Sequence, residues 1–217
     1  MTLSIADQPL KDSIVKPEES GYKSNVLQMF LEGLHQSDGS HLLDLGLISG
    51  DNINFFLRWV KKLSVCDMFY FLDRERRRHR PVGRIEQHFD YPPLAFDGIL
   101  LWNLFDYLDN QTAVKLIRQC HKSTRPGGRV MVIAQGDPIV FPVLSSFAIG
   151  EDFRLYPRPQ PHLNLPLQRR HNREILALLT PFSFAKSFLY RNGVKEYMFQ
   201  RDEDAPISEE SKDPRKE

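Results

Sequence analysis

FDGILLWNLFDYLDNQTAVKLIRQCHKSTRPGGRVMVIAQ, residues 96–135, holds two apolar runs with an amphipathic stretch between them. FDGILLW (96–102) and RVMVIAQ (129–135) show no polar alternation, the pattern of strands covered on both faces. Between them, Gln111–Thr124 carries its apolar residues at helical spacing, and Arg125-Pro126-Gly127-Gly128 stops it. Strand, helix and strand at this spacing predict a parallel pair joined by a crossover helix.

Working outward, the alternation continues. Val26, Phe30, Leu31 and Leu34 predict a helix over Asn25–His35, ended by Ser37-Asp38-Gly39. HLLDLGL (41–47) is a short strand, and Asp51-Asn52 can cap a helix built on Ile53, Phe56, Leu57 and Val60. SVCDMFYF (64–71) reads as a second strand, and Leu167–Leu179 as a helix with a basic start. SFAKSFLYR (183–191) and VKEYMFQ (194–200) flank Asn192-Gly193, the strongest short hairpin signal in the chain. RERRRHRPVGRIEQHFDYPPLAFD (74–97) is short for a helix plus a full strand, which predicts a reduced sheet edge there. The expected fold is α/β: a doubly wound, mainly parallel Rossmann-like sheet of six to seven strands, with a C-terminal antiparallel hairpin adding one strand at the edge.

Composition bounds the function. The 217 residues suit one domain: a flexible N-terminal arm (1–22), a folded body (23–200) and a charged, disordered tail (201–217). Twenty-nine basic against 28 acidic side chains leave no surplus for displacing counterions from nucleic acid, so no nucleic-acid partner is expected. Cys66 and Cys120 read as buried thiols. The seven histidines lack metal-site spacing, so no metal is assigned. No secretory signal is visible, and the longest apolar stretch, Ile139–Gly150, is about half a membrane span. A cytoplasmic protein with no membrane partner is the expectation.

LLDLGLISGDNINFF (42–56) resembles the Asp/Glu-x-Gly-x-Gly-x-Gly loop of class I S-adenosylmethionine-dependent methyltransferases. Residues 96–135 are similar to the fourth strand, fourth helix, Pro-Gly-Gly turn and fifth strand of that family, and the terminal hairpin matches its reversed last strand. The resemblance covers most of Leu42 to Gln200 and implies S-adenosylmethionine as cofactor. It also implies site residues: Asp44 for the methionine amino group, Gly46 and Gly50 for close backbone approach, Asp67 for the ribose hydroxyls and Asp90 for adenine. Trp102, Asn103 and Asp106 stand at the end of the fourth strand, where the family places substrate and catalytic side chains; no catalytic residue is assigned.

The physical reading of these residues stands beside the resemblance. A glycine turn admits a ligand that a Cβ would exclude, and a carboxylate accepts two hydroxyls at once. Each residue also has a plain alternative. Asp44 is a turn or capping acid, Asp67 a surface acid at a strand end, and Asn103 a strand-end cap. The loop departs from the pattern at Ile48, which replaces the middle glycine and either blocks the crevice or points outward. The arginines from Arg74 to Arg80 read as a solvated helix face. Gly136–Pro166, with six prolines, is a substrate lid or a partner-binding segment. The function expected is methyl transfer to a small-molecule acceptor; the alternative is an inactive relative serving as a binding or scaffold partner.

Overall fold

The computed structural model describes residues 21–35, 39–79, 88–135 and 143–203. Most of the N-terminal arm and tail, Arg80 and the first residues of the Pro-rich insertion (136–142) lie outside them.

FDGILLW forms β4 (Phe96–Trp102), buried along its length except at Asp97. It leads through a 3₁₀ turn (Leu104–Tyr107) to α4 (Asn110–Ser123). Asp109 starts α4 as N-cap, its side chain accepting the Thr112 N–H at 2.8 Å. β5 (Thr124–Ala134) follows at once. Its register against β4 jumps from Phe96↔Thr124 to Gly98↔Arg129, so the Arg-Pro-Gly-Gly run is extruded as a bulge at the strand's start.

The remaining elements are β1 (Tyr22–Lys23), α1 (Asn25–His35), β2 (His41–Asp44), α2 (Gly50–Phe56), β3 (Lys62–Val65), α3 (Met68–Arg77), β6 (Ser145–Ile149), β7 (Arg154–Pro159), α5 (Asn172–Leu178), β8 (Ser183–Leu189) and β9 (Lys195–Gln200). The main sheet has six strands in the order β3-β2-β4-β5-β9-β8. β3, β2, β4 and β5 are parallel, and β9 runs antiparallel to both its neighbours. The hairpin is therefore present, with its reversed strand inside the sheet and β8 at the edge. Gly193 takes φ +79° in its turn, the left-handed conformation that favours glycine. Among the described residues β3 is the opposite edge, consistent with the short segment between α3 and β4.

Alternate strand residues feed two cores. Leu42, Leu100, Met131, Ile133 and Met198 pack with α1 and α2 through Phe30, Leu34 and Phe56. Leu43, Ile99, Leu101, Val130 and Val132 pack with the other face through Leu72, Leu116, Ile117 and Ile175. Helices on both faces make the sheet doubly wound.

Four expectations change. The helix after β2 is capped at Ser49, not at Asp51-Asn52, and ends at Phe56, short of Val60. SVCDMFYF is not one strand: β3 ends at Val65, and Met68–Phe71 opens α3. The helix expected from Leu167 begins at Asn172, because Arg170 turns away to bond the Phe105 and Leu108 carbonyls at 2.9 and 2.5 Å. The described part of the Pro-rich insertion is a hairpin, β6–β7, which joins β1 in a separate antiparallel sheet, β1-β7-β6. At the boundaries, Tyr22 belongs to β1, and Arg201 is buried, donating to the His121 and Thr124 carbonyls at 2.7 and 2.6 Å.

Candidate functional site at the strand carboxyl ends

Asp44 ends β2 in the crevice outside the carboxyl ends of the parallel strands, where open α/β sheets bind ligands. It is buried, and its Oδ1 accepts the Gly46 N–H at 2.9 Å and the Trp102 Nε1–H at 2.6 Å. Burial pushes its pKa up to about 6, against the pull of those two hydrogen bonds.

Trp102 reaches Asp44 because β4 ends irregularly. The register slips between Leu100↔Met131 and Trp102↔Val132, a bulge that re-aims the last side chain. Trp102 then adopts φ +48°, a strained backbone for a bulky residue, of the sort that clusters at functional sites. Its ring lies against Gly46: a Cβ there would stand 2.5 Å from Cδ1 and Nε1. The indole also lies near-parallel to Phe147 of β6, 6.1 Å between centroids at 10°. The space left beside Gly46, Asn52, Trp102, Asn103 and Phe147 is about 10 Å³, on the order of one water.

Asp67 sits two residues beyond β3 and is the N-cap of α3. It accepts the Tyr70 N–H at 2.8 Å through Oδ1 and the Ile48 N–H at 3.3 Å through Oδ2. Burial raises its pKa, while the hydrogen bonds from Tyr70 and Ile48 lower it. Ile48 itself is 63% exposed, so its side chain points out of the crevice. Gly50 opens α2, and a Cβ there would meet nothing within 4 Å, so close approach does not demand glycine at that position. Asp90 is exposed, on a segment that passes the end of β3 where Cys66 Sγ lies 3.5 Å from the His88 carbonyl. On the outer side of the loop a cleft of about 440 Å³ runs between Ile48–Asp51 and the β6–β7 hairpin, spanned by Arg158 and Asp51 at 3.6 Å.

Asn103 is buried and donates to the Ser145 carbonyl at 3.1 Å, tying the end of β4 to β6. Asp106 is a second buried carboxyl: burial raises its pKa to about 7, although its Oδ2 accepts the Gln135 N–H at 2.6 Å. Beside it, Tyr107 donates to Gln135 Oε1 at 2.6 Å. Tyr107 and Gln135 face a cleft of about 280 Å³ closed by Leu144, Leu163, Asn164 and Leu165.

Two residues of the site had no signal in the sequence. Asn52 is buried and clasps β6, donating to the Phe147 carbonyl at 2.8 Å and accepting the Ile149 N–H at 3.0 Å. Phe147 stacks on Trp102 from a segment 45 positions away. Asn52 reads in sequence as a helix start, and only the folded hairpin shows what it holds.

Arg76, Arg77 and Arg78 are exposed, whereas Arg74 lies over the Phe71 ring at 5.1 Å and within 3.3 Å of His88 Nε2. Arg74 therefore departs from the solvated face expected for the run. Among the described residues no cluster of metal-binding side chains occurs, and no helix is long and apolar enough to cross a membrane.

Two carboxylates at the ends of adjacent parallel strands, bracketing a glycine turn, suit the ammonium and paired hydroxyls of S-adenosylmethionine. The donor chemistry fits; the room beside Gly46 is taken by the Trp102 indole in this conformation.

No protein-family model and no curated protein matches the sequence. Among solved structures the chain is similar to an S-adenosylmethionine-dependent methyltransferase from Mesorhizobium loti, with a TM-score of 0.53 at 14% identity over 81% of this chain and 97% of that one. It is also similar to the N-methyltransferase NodS of Bradyrhizobium japonicum, with a TM-score of 0.49 at 16% identity over 81% and 94% of the two chains. A third is the 1,6-didemethyltoxoflavin-N1-methyltransferase of Burkholderia thailandensis, with a TM-score of 0.49 at 16% identity over 82% and 79%. The likeness to the first establishes the fold as that of the S-adenosylmethionine-dependent methyltransferases.

Proposed function

We propose that this chain binds S-adenosylmethionine at the turn between β2 and α2 and directs methyl transfer to a small-molecule acceptor. The observation that carries this is the pair Asp44 and Asp67, which bracket the turn through the Gly46 and Ile48 N–H groups. The cofactor supplies a methyl group already activated by its positive sulfur, so the protein's part is placement. Asp44 would hold the ammonium and Asp67 the ribose hydroxyls, with Gly46 keeping the backbone close. Asp90, on the segment passing Cys66, is the candidate for the adenine amino group. The cleft beside Tyr107 and Gln135 suits a small acceptor, and Asp106 behind it fixes the cleft wall by accepting the Gln135 N–H at 2.6 Å.

Titration calorimetry of the full chain with S-adenosylhomocysteine tests the reading. Binding by the parent, weakened by roughly 1.5–3 kcal/mol in Asp67→Ala, is expected; equal affinities would remove Asp67 from the site. The filled crevice favours one other reading, an inactive methyltransferase-like protein acting as a binding or scaffold partner. It is selected if neither the parent nor any variant that opens the crevice binds the probe.

A further inference from the structure

The crevice contains its own substitute for a cofactor. The Trp102 Nε1–H donates to Asp44 Oδ1 at 2.6 Å, the bond that a cofactor ammonium would make. The Ile48 N–H donates to Asp67 Oδ2 at 3.3 Å, where a ribose hydroxyl would otherwise bond. The indole lies against Gly46 through Cδ1 and Nε1 and near-parallel to Phe147, and about 10 Å³ remains, while ligand sites commonly need roughly 300 Å³ or more. On the other side of the same loop the cleft of about 440 Å³ shares Leu47, Ser146 and Phe147 with this small space, so the open cleft and the crevice are neighbours across these residues.

What keeps the ring in place is also visible. Phe147 belongs to β6, and Asn52 fastens β6 at two successive backbone positions, the Phe147 carbonyl and the Ile149 N–H. Asn103 adds a third tie at the Ser145 carbonyl. On the opposite side, the bulge before Trp102 and its φ of +48° hold the indole toward Asp44 at a cost in backbone strain. A strained residue satisfied by one hydrogen bond and one stacking partner has a second position available to it once either is withdrawn.

We propose that Trp102 is an intramolecular plug that competes with the methionine end of the cofactor for Asp44, and that Asn52 keeps the plug seated by pinning β6. This deepens the methyltransferase reading and rests on it. Cofactor affinity is then set by the fraction of molecules whose indole has left Asp44, since apparent affinity falls in proportion to that fraction.

The test is calorimetry with S-adenosylhomocysteine on the full-length parent, Trp102→Ala, Trp102→Phe and Asn52→Ala, with thermal unfolding of each as a check on folding. An open fraction of about 0.1–10% predicts that Trp102→Ala tightens binding by roughly 10- to 1,000-fold. Trp102→Phe keeps the ring against Phe147 but loses the N–H, and should tighten binding by a smaller factor. Asn52→Ala should tighten it while leaving the cofactor's own partners intact. A second readout uses the parent ring: the chain has two tryptophans, so in Trp59→Phe the remaining emission reports Trp102. Adding the probe should shift that emission to longer wavelength and open it to acrylamide. Tight binding by the parent that Trp102→Ala weakens would overturn the plug and leave the methyltransferase reading standing, with Trp102 as a cofactor contact. Binding with no change in Trp102 emission overturns it likewise. No binding by the parent or any folded variant overturns both.

Discussion

Glu196 on β9 and Asp44 at the end of β2 are both buried carboxylates whose pKa is raised, chiefly by burial. Around Glu196 three hydroxyls converge: Tyr22 on Oε1 at 2.9 Å, and Ser24 and Tyr190 on Oε2 at 2.9 and 2.8 Å. They come from β1, the entry to α1 and the turn after β8, so the carboxylate fastens the start of the body to its last hairpin. Around Asp44 both donors, Gly46 N–H and Trp102 Nε1–H, end on Oδ1, and the second is carried by a side chain under backbone strain. A charge surrounded by several donors from rigid elements is a strut. One held by a loop N–H and a strained indole is exchangeable, and exchange is what a binding site requires.

The largest expected effect breaks the strut. Glu196→Ala would leave two tyrosines and a serine without their acceptor in a dry site, and should cost roughly 3 kcal/mol or more in urea unfolding. A loss below about 1 kcal/mol would show that Glu196 is as replaceable as Asp44 and remove the contrast.

The opposite sign is expected at Asp44. Its folded pKa, about 6, lies above the usual carboxylate range, so the folded state holds this proton more tightly than the unfolded chain does. Ionised Asp44 therefore burdens the fold at pH 8. The burden shrinks as pH falls through 6 and is gone below the unfolded value near 4. Asp44→Asn keeps the Oδ1 acceptor and removes the charge, and should stabilise the protein on the order of 2 kcal/mol at pH 8 and by little at pH 4. Asp106, raised to about 7, acts in the same direction in the parent. His41, His88 and His121, whose pKa values are lowered by burial, act against it below the usual imidazole value, so the comparison is made between variant and parent and not on the parent alone. The same Asp44→Asn change should abolish binding of S-adenosylhomocysteine, a gain in stability bought with function. A flat or inverted difference between variant and parent across this range would show that Asp44 is solvated, not held in a closed crevice.

The sequence made these two carboxylates unequal in legibility. Asp44 stands in a local pattern, apolar strand then glycine turn, that declares its place at a strand end. Glu196 acquires meaning from Tyr22, 174 positions away, and no local spacing reports such a contact. The same divide runs through the fold. β4, α4 and β5 and the closing hairpin were legible because each is a long period with a stop signal. SVCDMFYF misled because its apolar run is continuous across Asp67, where the chain changes from strand to helix, and the capping bond to Tyr70 is what marks the change. Trp102 was legible as a strand-end residue facing the site. Its plugging position was not, because it depends on a register slip against β5 and on Phe147 arriving from β6.

The smallest effect belongs to Ile48, the residue that interrupts the glycine pattern. If its side chain filled the crevice, trimming it would restore space and raise affinity for S-adenosylhomocysteine. The side chain instead stands 63% exposed on the outer wall of the loop, and the atom of Ile48 that engages the site is its backbone N–H, bonded to Asp67. Ile48→Gly removes no plug and keeps that N–H, so affinity should stay within about twofold of the parent. Stability should fall by roughly 0.5–1 kcal/mol, from the added freedom of glycine in the unfolded chain. Trp102→Ala, by contrast, should tighten binding, so the two variants measured side by side decide which residue closes the crevice. Tighter binding in Ile48→Gly with none in Trp102→Ala would transfer the role from the indole at the end of β4 to the loop itself.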